Sequence, residues 1–256
     1  MITAAGAAAV SASAPRAFAQ TASGYPNKPL KIIVGAAPGG LSDAYARLFA
    51  EQFTARFNQP AVVENRAGAS GIIAVEAMLK APADGYTLAS TTTGMLWQTR
   101  VLYKKLPFDL AKDITPITVF PSGPLIVAVQ EKMGVKNLDE LIEYARKNEC
   151  SSGSYAPASY PHVLAETLNK QFGCKFQAVQ YKGEGPMWID VVSGVVQGGI
   201  GSYVALAPHL AKGTVRVLAS VGGEKSPKLP QVTSFVSQGF DGQIFRLDGC
   251  LTMLAP

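Results

Sequence analysis

The 256-residue sequence has few of the features that nucleic-acid-binding, membrane-spanning or metal-binding proteins need. Its formal net charge of +5 comes from thinly spread Lys and Arg, which argues against nucleic acid as a partner because phosphate neutralisation needs clustered cations. No uncharged apolar run is long enough to span a bilayer. The three cysteines and two histidines form no CxxC pair or Cys/His cluster, so the sequence predicts no metal site and no cofactor.

Motifs of catalysis are missing as well. The chain has no G-x-S-x-G elbow, no H-E-x-x-H helix and no acidic cluster with metal-ligand spacing. An esterase that uses Ser154 or Ser159 with His162 stays an alternative, but no partner that would orient the histidine can be identified. We favour a histidine that packs or caps in the first turn of a helix, and we predict no enzymatic activity.

The first 19 residues have the pattern of a processing segment. Ala4 to Val10 is a short apolar run, and Ala17-Phe18-Ala19 before Gln20 reads as a small-x-small cleavage site. A basic region before the apolar run is missing, because Arg16 lies after it. Residues 1–19 are therefore interpreted as a signal peptide that is clipped at its N-terminus, with an unprocessed tail as the alternative. The mature chain is predicted to lie outside the cytoplasm.

Two of the cysteines, Cys150 and Cys174, each come shortly before a predicted strand. Adjacent parallel strands lie at a spacing that a disulfide can span. In an oxidising compartment these two residues could pair, and two free thiols are an equally open alternative.

Along the rest of the chain, short β-branched runs alternate with amphipathic stretches, which predicts parallel sheets covered on both faces. The predicted strands are 30–35, 61–64, 86–91, 125–130, 152–155, 176–181, 198–201 and 215–220. The predicted helices are 41–57, 72–80, 138–147, 161–172 and 186–193.

A break at residues 121–124 divides this pattern into two α/β lobes. The first lobe is predicted to comprise residues 25–120 and 219–256, and the second residues 121–218. The chain would cross between them near 114–120 and return near 215–220. Two crossings would act as a hinge rather than as a flexible linker.

Two strand-to-helix turns are candidate anion sites. The first contains Pro38, Gly39, Gly40 and Asp43, and the second runs from Ser154 through Ser159 to His162. Backbone N–H groups and the positive end of a helix dipole can hold an anion at such turns. The first is neither a phosphate-binding P-loop nor a dinucleotide fingerprint, and an ordinary turn capped by Ser42 or Asp43 remains its alternative. Because ligands of open α/β sheets bind at the carboxyl ends of strands, the two turns are expected to face each other across a cleft.

Two further turns follow strands at the same predicted end. The Gly-rich segment 65–71 is interpreted as a structural turn rather than as a contact site. Thr92 and Thr93 offer hydroxyl groups beyond the third strand, although they could equally be capping residues.

Several ordered motifs from Tyr25 to Pro256 carry a family resemblance. They are Tyr25-Pro26-x-Lys28-Pro29, Pro38-Gly39-Gly40-x-x-Asp43, Val63-Glu64-Asn65-Arg66-x-Gly68, Asp84-Gly85-Tyr86-Thr87-Leu88, Tyr103 to Asp109, Tyr181-Lys182-Gly183, Ser226-Pro227-x-Leu229-Pro230 and Leu254-Ala255-Pro256. In this order and spacing the sequence resembles the periplasmic solute receptors of tripartite tricarboxylate transporters, also called Bug proteins.

The resemblance implies an α/β fold, a two-lobed type II periplasmic-binding-protein clamp. Each lobe would be a sheet flanked by helices, with two crossover strands as the hinge. The implied function is capture of a small carboxylate in the periplasm for the membrane permease subunits of a transporter, by a monomer. A receptor that senses its ligand for a membrane signalling protein and a truncated fragment are the alternatives. The ligand-binding residues so implied are Pro38, Gly39, Gly40, Asp43, Thr92, Thr93, Ser154, Ser159, His162 and Ser202.

Three departures from the family pattern concern the site and the first lobe. Gly201-Ser202 stands where the family usually has an acidic residue, and Pro157-Ala158 stiffens the second turn. The family also continues past Pro256 with helices that complete the first lobe, and these helices are expected to be missing here.

Overall fold

The fold was analysed in a computed structural model that describes residues 24–222, 228–247 and 249–256. The predicted signal peptide at residues 1–19 lies outside the described residues. The strands are β1 (Leu30–Val34), β2 (Ala61–Asn65), β3 (Thr87–Thr92), β4 (Thr115–Pro121), β5 (Leu125–Gln130), β6 (Cys150–Ser154), β7 (Phe176–Gln180), β8 (Gly198–Ser202), β9 (Val215–Ser220) and β10 (Cys250–Ala255). The α-helices are α1 (Leu41–Phe57), α2 (Ile72–Leu79), α3 (Thr93–Leu102), α4 (Leu138–Lys147), α5 (Tyr160–Phe172), α6 (Glu184–Ser193) and α7 (Tyr203–Leu210).

The strands form two five-stranded sheets, each flanked by helices. The first has the order β2-β1-β3-β10-β4, and the second has the order β7-β6-β8-β5-β9. Only part of each sheet is parallel, because β10 runs antiparallel to β3 and β4 and β5 runs antiparallel to β8 and β9. The predicted parallel sheets are therefore mixed. The two lobes of the predicted clamp are present.

Alternating side chains explain how each sheet is covered on both faces. In β1, Ile32 and Val34 pack with the α1 side of the sheet, while Ile33 packs with Met78 and its neighbours in α2 on the other side. Successive residues of a strand point to opposite faces, so a continuous apolar run such as Ile32–Val34 needs helices on both. The β5 run Leu125–Val129 is buried in the same way between two clusters.

Helices α3 and α7 were not predicted. Each begins directly after a strand, at a residue whose hydroxyl accepts a hydrogen bond from the backbone N–H three residues later. The Thr92 hydroxyl accepts from Met95 N and the Ser202 hydroxyl accepts from Ala205 N, which is the usual N-cap arrangement. Helix α7 has 8 residues and contains Pro208, so periodicity gave little signal there.

The chain returns to the first sheet later than predicted. Residue 219 was the predicted start of the return, yet Ala219 lies in β9, an edge strand of the second sheet. Beyond it, the rings of Phe235, Phe240 and Phe245 lie buried in the core of the second lobe. The chain rejoins the first sheet only at β10, because the segment before it packs its aromatic rings into the core of the second lobe.

The two crossings between the sheets lie side by side. Ser122, between β4 and β5, donates from its N–H to the carbonyl oxygen of Gly249 at 3.0 Å, and its hydroxyl donates to the same oxygen at 2.6 Å. A Cβ on Gly249 would lie 2.6 Å from the Ser122 Oγ. The absence of a side chain at residue 249 therefore permits this close approach of the crossings.

The cysteines Cys150 and Cys174 are free thiols in this structure, and both are buried. Cys150 opens β6, whereas the Cys174 thiol donates a weak hydrogen bond to the Ile142 carbonyl at 3.9 Å. Burial raises the pKa of Cys150 to about 11. Of the two alternatives left open by the sequence, the structure has the free thiols, and each packs in the core as a small apolar group.

Within the described residues, no helix has the combination of length and apolar character that a membrane crossing requires.

We expect Phe235→Ala to lower the free energy of unfolding by about 3–5 kcal/mol, the usual cost of emptying a buried aromatic site. Phe235 is 1% exposed and packs on two other aromatic rings. Urea unfolding followed by circular dichroism would measure the change. Phe57→Ala is the control, because the Phe57 ring is 44% exposed and its loss should cost much less. Equal, small costs for both variants would contradict this packing.

Candidate ligand-binding site

A cavity of about 370 Å³ lies where the two lobes meet. The first predicted turn contributes Gly40 to its lining, and the second contributes Ala156 and Pro157. The two turns that the sequence predicted to face each other therefore border the same cavity. The complete lining is Gly35, Ala36, Gly40, Leu41, Ser42, Gly68, Ala69, Ser70, Gly71, Thr92, Met95, Tyr103, Tyr155, Ala156, Pro157, Gln180, Tyr181, Lys182, Gly183 and Glu184.

Four helices begin at the cavity wall. The lining includes Leu41 at the start of α1, the α2 N-cap Gly71, the α3 N-cap Thr92 and the α6 N-cap Gly183. Each helix start carries a partial positive charge from its peptide dipoles and unpaired N–H groups. The combined field favours a negative group in the cavity.

Asp43 stabilises the first turn from behind the cavity wall. Its carboxylate accepts hydrogen bonds from Gly39 N–H at 3.1 Å, Arg47 Nε at 3.0 Å and Asn65 Nδ2 at 3.0 Å. Burial raises the pKa of Asp43, but these three donors outweigh it and hold the pKa below its ordinary value of 3.8. Asp43 does not line the cavity. The structure thus shows that Asp43 fixes the turn that contains Gly40. Pro38 and Gly39 also lie outside the cavity lining.

The polar residues of the second turn bond to one another. The Ser154 and Ser159 hydroxyls are 2.8 Å apart, and the Ser154 hydroxyl also contacts the Ala156 carbonyl oxygen at 2.9 Å. His162 accepts a hydrogen bond at Nδ1 from the N–H of Ala158 at 2.9 Å. These three side chains shape the turn, while Ala156 and Pro157 line the cavity. Among the described residues no hydrogen bond joins His162 to either serine.

Of the remaining predicted residues with hydroxyl groups, one lines the cavity, and two lie outside its lining and bond to neighbouring residues. Thr92 lines the cavity and caps α3. Thr93 instead donates to the Cys250 carbonyl oxygen at 3.2 Å, which ties α3 to β10. The Ser202 hydroxyl lies buried behind Glu184 and donates to its carboxylate.

The third turn, interpreted from the sequence as structural, contributes directly to the lining. Ser70 is buried, and its hydroxyl has no hydrogen-bond partner among the described residues. Ala69 and Ser70 have φ values of 46° and 50°, a region that residues with side chains seldom occupy. Such conformations cluster at ligand sites. The Gly-rich strand-to-helix turn at 65–71 was the available sequence signal.

Glu184 was not predicted, and it joins the two lobes. It is the first residue of α6 in the second lobe, and its Oε2 accepts a hydrogen bond from Leu41 N–H of the first lobe at 3.4 Å. Its Oε1 accepts from Ser202 N–H at 3.1 Å. Burial raises the pKa of Glu184, and these donors oppose that rise without cancelling it. The only sequence signal was a charged residue two positions before the predicted helix 186–193, where a charged side chain is normally exposed.

Backbone contacts bring the lobes still closer beside Glu184. The N–H of Ala37 donates to the Lys182 carbonyl oxygen at 2.7 Å. A Cβ on Gly185 would lie 2.1 Å from the Pro38 carbonyl oxygen. Gly201, where an acidic residue was expected from the family pattern, lies against the indole of Trp188, and a Cβ there would be 3.0 Å from Nε1.

Metal binding is not indicated by this part of the chain. The described residues contain no group of three or more His, Cys, Asp or Glu side chains that could hold a metal ion.

Comparison with known families and proteins gives a consistent result. A family model described as "Tripartite tricarboxylate transporter family receptor" matches residues 45–256. Protein BugT of Bordetella pertussis is 33% identical over 219 residues, which are 84% of this chain and 67% of that protein. The chain thus spans about two thirds of the length of that relative.

Solved structures share the same fold. A Rhodopseudomonas palustris protein solved with adipate is 32% identical, with a TM-score of 0.85 over 91% of this chain and 78% of its own. MatC from the same species, solved with bound malate, is 25% identical, with a TM-score of 0.80 over 91% of this chain and 79% of its own.

We expect Asp43→Asn to lower the free energy of unfolding at pH 7 by about 1–3 kcal/mol, because one of the three donors would lose its acceptor. The pKa of Asp43 is depressed in the folded protein. Its contribution is therefore present above pH 3.8, the ordinary pKa of the unfolded chain, and is lost as the pH falls through the lower folded value. Urea unfolding of both proteins from pH 7 down to acid would measure this.

The difference in the free energy of unfolding between wild type and Asp43→Asn should become smaller at acid pH. Asp139→Asn, at an exposed position in the first turn of α4, is the control and should show a smaller gap. A difference between Asp43→Asn and wild type that stays constant with pH would show that the carboxylate charge is not what holds the turn.

Proposed function

We propose a function that proceeds from one premise: this chain belongs to the tripartite tricarboxylate transporter receptor family. In this proposal it is a solute-binding protein that captures a small carboxylate in the cavity between its lobes. The relatives solved with adipate and malate indicate the chemical class of the ligand. No catalytic step is part of the proposed function.

The observation that carries the proposal is the convergence of helix N-termini on one cavity between the lobes. Lys182 supplies the only basic side chain among the lining residues, and it is largely exposed. A carboxylate would therefore be held mainly by N–H groups, hydroxyls and helix dipoles rather than by a bidentate arginine. The Ser70 hydroxyl, which is buried without a partner, is one donor that a ligand oxygen could satisfy.

The proposal also includes delivery of the bound carboxylate, in the periplasm, to the permease subunits of a transporter. It is supported by the family match and by the small-x-small site before Gln20. The same clamp could instead present its ligand-bound form to a membrane signalling protein. Copurification with each type of membrane partner would separate these two roles.

Closure of the lobes around the ligand is the proposed conformational step. Ala37 and Lys182 already share a backbone hydrogen bond across the lobes, and Gly40 and Glu184 are in near contact. A ligand that contacts both lobes stabilises the closed arrangement by its differential affinity for it.

Small carboxylates should raise the melting temperature of the protein. A ligand at 100 times its Kd adds about 2.7 kcal/mol to the free energy of unfolding. We suggest a thermal-shift screen of aliphatic carboxylates of two to six carbons, including hydroxy- and amino-substituted acids. Amides of equal chain length are the controls and should have no effect, because they lack the charge that the helix dipoles favour. No response to any acid would count against the proposed function.

Gly185→Ala should weaken carboxylate binding by at least tenfold. The new Cβ would lie 2.1 Å from the Pro38 carbonyl oxygen, so the lobes would have to separate. Within α6 itself, Ala is favoured over Gly by up to about 1 kcal/mol, so each lobe of the variant should still fold. Isothermal titration calorimetry and urea unfolding measure the two effects. Unchanged affinity would show that the contact between Pro38 and Gly185 is not needed for binding.

A further inference from the structure

Glu184 places a carboxylate in the wall of a cavity that otherwise favours anions. The residue lines the cavity and is 8% exposed. The described part of the chain contains no Lys, Arg or His nitrogen within ion-pair distance of it. A buried carboxylate without a cation carries an uncompensated negative charge, which is costly unless hydrogen bonds or a bound ligand offset it.

Every hydrogen bond around Glu184 is donated to its carboxylate oxygens, which stabilises the ionised form against the burial that raises its pKa. Ser202 N–H donates to Oε1, while Leu41 N–H and the Ser202 hydroxyl donate to Oε2. The Ser202 oxygen also accepts from Ala205 N–H, so its own hydrogen is free to point at Glu184. A carboxylate has about four acceptor positions. Three are occupied, and the fourth, on Oε1, has no donor among the described residues.

Glu184 also makes the helix starts around the cavity unequal. Its carboxylate occupies the positive N-terminus of α1 through Leu41, and it lies next to the N-cap of α7 through Ser202. The helix starts of α2 and α3, at Gly71 and Thr92, have no such internal carboxylate in the described structure. Both line the cavity. These two starts therefore remain available for the carboxylate of a ligand.

We propose that Glu184 is a specificity-determining residue, which selects monocarboxylates with a hydroxyl or ammonium group at the other end and disfavours a second carboxylate. The inference rests on the proposed function. The ligand carboxylate lies at the starts of α2 and α3 near Ser70 and Thr92. The hydroxyl or ammonium group donates to the open acceptor position of Glu184. A second carboxylate at that end meets a like charge in a buried site, where repulsion is strong.

Length-matched ligands test this directly. We suggest titrating the wild-type chain with 6-hydroxyhexanoate, 6-aminohexanoate and adipate, and with their four-carbon counterparts 4-hydroxybutanoate, 4-aminobutanoate and succinate. At one of the two lengths at least, the hydroxy or amino acid should bind at least tenfold more tightly than the dicarboxylate. A wild-type preference for the dicarboxylate at both lengths overturns the inference, and this comparison needs no variant that must fold.

The Glu184→Gln variant should change the ratio of affinities rather than the overall affinity. Gln keeps the shape but removes the charge, so dicarboxylate binding should strengthen and amino-acid binding should weaken, with the ratio shifting at least tenfold. Glu166→Gln, at an exposed position in α5, is the matched control and should leave the ratio unchanged. Ser70→Ala should weaken every ligand alike, because that residue lies at the end that all of them share.

The outcomes separate the two proposals. If no carboxylate of either kind binds, the proposed function itself fails. If carboxylates bind and Glu184→Gln changes all affinities by the same factor, Glu184 is only a contact between the lobes and the specificity inference is overturned. If the ratio moves as expected in Glu184→Gln and stays fixed in Glu166→Gln and Ser70→Ala, the inference is supported.

Discussion

The turn between β1 and α1 is held by buried carboxylates, and the rest of the site depends on it. The carboxylate of Asp43, in the first turn of α1, accepts a hydrogen bond from the Gly39 N–H. Glu184, from the other lobe, accepts the Leu41 N–H. Both exploit the same physical property, the unpaired N–H groups and positive dipole at a helix start. The first contact shapes one wall of the cavity, and the second brings the opposite wall against it.

This arrangement requires residues without side chains at the line of contact. Gly185 lies so close to Pro38 that a Cβ would meet the carbonyl oxygen, and Gly183 approaches Ala37 N in the same way. At Gly249 the two crossings between the sheets are similarly close. Backbone can meet backbone only where Cβ atoms are absent. Lobe contact and hinge therefore both depend on glycine, at positions far apart in the sequence.

The sequence predicted several helices and strands and the meeting of two distant turns, but not strand order or the contact at Glu184. The bounds of α1, α4, β5 and β9 follow from periodicity and β-branched runs, and they match the structure. The position of β10, antiparallel between β3 and β4, could not be predicted from the sequence, because strand order depends on contacts across more than a hundred residues. Glu184 lies 143 residues from its partner Leu41. Its sequence neighbourhood resembles an ordinary exposed helix start, and burial alone distinguishes it.

The fold and the side chains contribute differently to the choice of ligand. Helix starts at the carboxyl ends of strands are a property of the two-sheet architecture, so a positive field at the cavity comes with the fold. The same dipoles would act on any small carboxylate. Discrimination must come from side chains that add charge or hydrogen-bonding groups to that common field. In this chain, the lining contributes one buried acidic side chain, Glu184. In the proposed function, the choice of acid would therefore be made at the contact between the lobes rather than by either sheet.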